Sequence, residues 1–258
     1  MGIDAVLLDV DGVLATNWRL LPGARRALDG VRAEGLPFRL VTNATMHSRA
    51  WIASTLADAG LPVGEEHVVT ATLATAEHLR RHHPGARCFL LAAEDAREDL
   101  DGIHWVEDDA EVVVVGGPGP WFTYDRLNRA FQMLAGGALL VAMQRNLSWR
   151  TDEGLMLDAG AFVVGLEVAA RVQAVTIGKP NPGFFEAALA TMGASPAEAL
   201  MVGDDLEADV LGAQDAGLVG ALVRTGKFRP ESLEGLERGP DHVIDSVGDL
   251  PGLLERLR

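Results

Sequence analysis

Apolar positions along the chain fall into short runs that alternate between two periods. Ile3 to Leu8 and Phe38 to Val41 are nearly continuous apolar stretches, and between them Ala24 to Ala33 sets Ala27, Leu28 and Val31 at helical spacing. That order predicts strand, helix, strand: a βαβ unit. Helical patterns follow over Ser48 to Ala59 and Thr72 to His82, separated by the turn formers Gly60, Pro62 and Gly64. Arg87 to Ala92 and Glu111 to Val115 read as strands around an acidic stretch, Glu94 to Glu111, whose charges predict a solvated face. A helix over Leu127 to Leu134, a strand over Ala138 to Met143 and a helix over Ala161 to Ala170 continue this second α/β pattern. Beyond Gly178 come a helix marked by Phe184, Phe185, Ala188, Leu189 and Met192, a strand over Ala199 to Val202, and a helix over Leu206 to Ala216 ended by Gly217. Weak strands near Leu222 and Val243 and a short helix close the chain. Such alternation favours a doubly wound, mostly parallel sheet, with functional loops at the carboxyl ends of its strands.

Composition narrows the function classes. With 258 residues, 48% of them hydrophobic, the chain can bury a sizeable core in one or two domains. A net charge of −15 argues against nucleic acid as a partner and requires a local cation wherever a phosphate-bearing substrate binds. Cys88 is the sole cysteine and sits in an apolar run, which points to a reducing compartment. No stretch is long enough to span a bilayer, and no charged segment precedes an apolar leader, so a cytoplasmic protein without a membrane partner is expected.

Four clusters could carry chemistry, three of them where an apolar strand empties into polar residues. Asp9 and Asp11 follow the first strand and precede Gly12; carboxylates there lose hydration unless they meet a cation or hydrogen-bond donors, although an aspartate capping a turn fits the same pattern. Thr42 and Asn43 follow the second strand and can donate to a phosphoryl oxygen, or cap the next helix. Lys179 is wedged between Gly178 and Pro180 before a helix start. Asp204, Asp205 and Asp209 follow the strand ending near Val202 and could cap a helix or complete a hard-cation site with Asp9.

Taken together, in this order and spacing, the clusters resemble the motifs of the haloacid dehalogenase-like superfamily of phosphotransferases. The resemblance implies a Rossmann-like α/β core with an inserted α/β cap, the core being residues 1–83 plus 172–258 and the cap 84–171. It implies Asp9 as nucleophile, Asp11 as general acid and base, Thr42 and Asn43 as phosphate contacts, and Lys179 steadying both nucleophile and phosphoryl group. Mg²⁺ would be held by Asp9, the Asp11 carbonyl and Asp204, with Asp205 and Asp209 supporting Lys179, water or the helix start. The long interval between Thr42 and Lys179 resembles subfamily IIA, which contains phosphatases of N-acetylglucosamine phosphate, 4-nitrophenyl phosphate and pyridoxal phosphate. Gly154 to Asp158 and Arg224 to Pro230 resemble the phospholysine phosphohistidine inorganic pyrophosphate phosphatases and their relatives. Two positions depart: Ala44 stands where many members of the branch have a second Asn, and Asp11 where those relatives often have Ser. The implied activity is hydrolysis of a small phosphorylated metabolite through an aspartyl phosphate. Cleavage of phosphoramide or pyrophosphate bonds, or phosphometabolite binding without turnover, are the alternatives. Caps of this kind often pair into homodimers, and Val112 to Val115 could serve either a dimer surface or the cap core.

Overall fold

All five residues of strand Ala5–Asp9 are buried, because the strand has no solvated face. In the computed structural model, which describes residues 2–151 and 154–258, it lies inside a six-stranded sheet. The order is His242–Ile244, Val219–Val223, Ala199–Gly203, Ala5–Asp9, Phe38–Thr42, Val68–Thr70. Ala5–Asp9 pairs in parallel with Ala199–Gly203 on one side, Leu8 opposite Val202, and with Phe38–Thr42 on the other, Asp9 opposite Val41. Successive strands depart from Ala5–Asp9 in opposite directions, so the strand lies at the switch point of the topology, where a crevice opens at the carboxyl ends. Helix Ala24–Ala33 buries Ala24, Ala27, Leu28 and Val31, and helix Pro182–Ala190 buries Phe184, Phe185, Ala188 and Leu189.

Two compact units account for the chain: Met1–Thr42, Ala50–Val69 and Lys179–Arg258 form one, and Asn43–Arg49 with Thr70–Gly178 the other. The second unit has its own five-stranded sheet, in the order Ala174–Thr176, Leu139–Ala142, Val112–Val115, Arg87–Leu91, His104–Trp105, with parallel neighbours throughout. Phe89, Leu91, Val113, Val115, Leu134, Leu140 and Val163 make its core. Every residue of Val112–Val115 is buried in the middle of that sheet, so the valine run is core and not a dimer surface.

The structure changes two local expectations and adds two hairpins. Asp99, inside the acidic stretch, is buried rather than solvated: it accepts hydrogen bonds from the Arg49 N–H (2.8 Å) and from Arg49 Nε (3.0 Å). Leu206 to Ala216 is not one regular helix. Leu206–Leu211 is a wider π-helical stretch, with Val210 N donating to Asp205 O at 3.3 Å, followed by Gly212–Asp215 in α geometry. A hairpin of Ala15–Thr16 and Arg19–Leu20 follows the first strand, turning through Asn17 and Trp18, both at positive φ. A second hairpin pairs Ser148–Thr151 with Gly154–Leu157 and exposes Leu155 and Leu157, so its apolar residues do not alternate with polar ones.

Candidate active site

Asp9 ends its strand 6% exposed, and its Oδ1 accepts from Lys179 Nζ at 2.6 Å. The same ammonium donates to Asp209 Oδ1 at 2.6 Å and to Val41 O at 3.4 Å. Asp209 reaches Lys179 because of the wide turn: its Oδ2 accepts from the N–H groups of Asp204 (3.2 Å) and Asp205 (3.1 Å), folding the carboxylate back onto the end of strand Ala199–Gly203. Asp205 points the other way. Its Oδ1 caps the turn at Ala208 N (3.0 Å), and its Oδ2 pairs with Lys227 Nζ (3.0 Å). Asp204 is buried, and its Oδ2 accepts from the Lys227 N–H at 2.6 Å. Gly12 and Gly226, both at positive φ, press against that carboxylate; a Cβ on either would collide with it. Thr225 Oγ1 donates to Gly12 O at 2.5 Å, tying the loop after Val219–Val223 to the loop after the first strand.

One oxygen from each of Asp9, Asp204 and Asp209 lies within 4.8 Å of the others, all three residues buried. Asp9 is pushed up to about 7, chiefly by loss of hydration, against the pull of Lys179 and with a further push from Asp209. Asp204 is pushed up to about 8 by burial and by Asp9 and Asp209. Burial would lower Lys179, but Asp209 and Asp9 outweigh it and hold the ammonium charged. Asp11 is exposed, and loss of part of its hydration still raises its carboxyl, with Lys227 and then Lys179 pulling it down. Three buried carboxylates around one buried lysine are short of positive charge, and their donors are hard oxygens. That combination fits a divalent cation of the magnesium kind.

The charge shortage sets a pH dependence. The folded pKa values of Asp9 and Asp204 lie above those of an unfolded chain, so the metal-free fold holds protons that the unfolded chain has released. Its stability therefore falls as pH rises from about 4 toward 8, by up to about 1.4 kcal/mol per pH unit for each proton. In thermal unfolding with chelator, Tm is expected to drop between pH 5 and pH 8, Mg²⁺ to restore it more at pH 8 than at pH 5, and Asp204→Asn to flatten both trends. A metal-free Tm that is level or rising across this window would contradict the electrostatics.

Asp9, Lys179, Asp204, Asp205 and Asp209 thus meet in one place, with Thr42 buried at the end of the adjacent strand. Asn43 falls in the second unit, where its Oδ1 lies against Gly178. Sequence reading passes over Lys227, Gly226 and Thr225 as site residues, although Arg224 to Lys227 follow a largely buried strand much as the clusters at Asp9, Thr42 and Asp204 do.

Comparison with known proteins accords with this geometry. The family model for haloacid dehalogenase-like hydrolases matches residues 6–106, and a second HAD-hydrolase-like model matches residues 176–250. Phospholysine phosphohistidine inorganic pyrophosphate phosphatase of Xenopus laevis is 35% identical, over 98% of this chain and 95% of that protein. Haloacid dehalogenase-like hydrolase domain-containing protein 2 of Homo sapiens is 37% identical, over 95% of this chain and 96% of its own length. Among solved structures, a 4-nitrophenylphosphatase from Thermotoga maritima superimposes with a TM-score of 0.91 at 30% identity, covering 97% of each chain. The chain belongs to the haloacid dehalogenase-like (HAD) superfamily, in subfamily IIA. Within it, the chain is a phosphatase, with a phosphorylated substrate. HAD phosphatases generally use a divalent metal, which matches the acidic cluster. No helix among the described residues is long and apolar enough to cross a membrane.

Proposed function

We propose that this protein is a cytoplasmic, Mg²⁺-dependent phosphatase that hydrolyses a small phosphorylated metabolite through an aspartyl phosphate on Asp9. The observation that carries the reading is the 2.6 Å ion pair from Lys179 to Asp9, itself anchored at 2.6 Å by Asp209. It pulls against the loss of hydration that favours the protonated carboxyl and fixes the carboxylate's orientation, which is what an in-line attack on phosphorus requires. Asp9, the Asp11 carbonyl and Asp204 would hold Mg²⁺, whose charge offsets the repulsion between an anionic nucleophile and an anionic phosphoryl group. In the first half-reaction an Asp9 oxygen bonds to phosphorus as the ester oxygen departs, and Asp11 gives that oxygen its proton. In the second, Asp11 takes a proton from water, which attacks the same phosphorus, frees inorganic phosphate and restores Asp9. Thr42 and Asn43 are assigned as neutral donors to the phosphoryl oxygens. Residues 84–171 are assigned as the cap that selects the substrate and through which two copies would pair.

The test is release of inorganic phosphate from a panel of phosphomonoesters, with Mg²⁺ and with chelator. Metal-dependent turnover of at least one ester is expected; none, or turnover indifferent to chelation, would sink the proposal. The 35% identity to a protein named for phospholysine, phosphohistidine and pyrophosphate favours a second reading, cleavage of P–N or P–O–P bonds. Adding pyrophosphate and a phosphohistidine peptide to the panel separates the two.

A further inference from the structure

An ammonium group has three N–H donors. Those of Lys179 are committed to Asp9 Oδ1, Asp209 Oδ1 and Val41 O, and the residue is only 4% exposed. Buried among these acceptors, it neutralises the inner site. Lys227 differs on each count. Its side chain is 50% exposed, and among the described residues its ammonium donates to Asp205 Oδ2, whose side chain is itself 27% exposed. Its loop is tied to the turn that carries Asp11, the residue assigned to the leaving group: Thr225 Oγ1 donates to Gly12 O at 2.5 Å. Its backbone N–H separately holds Asp204 Oδ2. Main chain and side chain therefore do different work, and replacing the side chain leaves the Asp204 contact available.

We propose that Lys227 is a specificity-determining residue, its ammonium exchanging Asp205 for an anionic group on the leaving side of the substrate. The preferred substrates are then phosphoesters whose leaving group carries a carboxylate or second phosphate. This inference rests on the phosphatase reading and on Asp11 as the leaving-group acid. An acidic protein needs such a cation, because a substrate of higher negative charge is otherwise repelled.

The test compares 3-phosphoglycerate with glycerol 3-phosphate, alike in size but differing by a carboxylate, and uses 4-nitrophenyl phosphate to establish turnover. The wild-type kcat/KM is expected to favour 3-phosphoglycerate. Lys227→Met is expected to shrink that ratio roughly tenfold, as loss of one charge-assisted hydrogen bond would, through KM rather than kcat. Lys227→Arg restores the ratio. Asp205→Asn, which can still cap Ala208, enlarges it by releasing the lysine. An equal loss for both esters in Lys227→Met, or a loss confined to kcat, would mean that the lysine only braces the loop, and would overturn the assignment. So would a wild-type enzyme that turns over 4-nitrophenyl phosphate without favouring the carboxylated ester. A wild-type enzyme that releases phosphate neither from these three nor from any member of the wider panel refutes the phosphatase reading beneath it.

Discussion

Asparagine in place of Asp9 is expected to lower phosphate release by on the order of 10³-fold or more without unfolding the protein. The amide has nearly the same shape and can still accept from Lys179, so the pairing geometry survives. What it loses is the nucleophile, since a neutral amide oxygen does not form the phosphoryl bond. Stability should move the other way. Burial and Asp209 make the ionised Asp9 unfavourable, so the metal-free variant should unfold no earlier than the wild type at pH 8. An inactive protein that is also severely destabilised would point to a structural role; retained activity would remove Asp9 from the chemistry.

Lys179→Met is the substitution with the largest expected effect on stability. It leaves Asp9 and Asp209 buried without their shared cation, and breaking a buried pair in this way costs about 3–5 kcal/mol. The loss should appear as a lower urea midpoint. It should also be smaller at pH 5 than at pH 8, because protonation relieves carboxylates that no longer have a partner. Equal losses at both pH values would indicate that the lysine stem, rather than its charge, supports the site.

Much of the fold is legible in the sequence where burial dictates residue type. The apolar runs ending at Asp9, Thr42 and Gly203 are strands with no solvated face, and helix Ala24–Ala33 shows its buried stripe at the spacing the residues display. The candidate site is legible for the same reason: a charged residue directly after such a run has to be paired or solvated. The rest depends on contacts across the chain. Nothing local announces that Asp209 will bend back on its own turn to reach Lys179, because the π-helical geometry that carries it there has no residue-type signature. Asp99 reads as one more surface acid until Arg49, fifty positions away, is brought beside it. Lys227 escapes notice because its loop contributes a backbone N–H, which carries no residue-type signature.

Covalent participation of Asp9 is open to direct measurement in Asp11→Asn mixed rapidly with 4-nitrophenyl phosphate and Mg²⁺. The nitrophenolate leaving group needs no proton, so the first half-reaction should proceed while the second, deprived of its base, stalls. The expected result is a burst of about one nitrophenolate per site, with a phosphoryl group on the peptide carrying Asp9 after acid quench, and no such burst in Asp9→Asn. Steady turnover without a burst and without label on Asp9, in a variant that still releases phosphate, would contradict the covalent route.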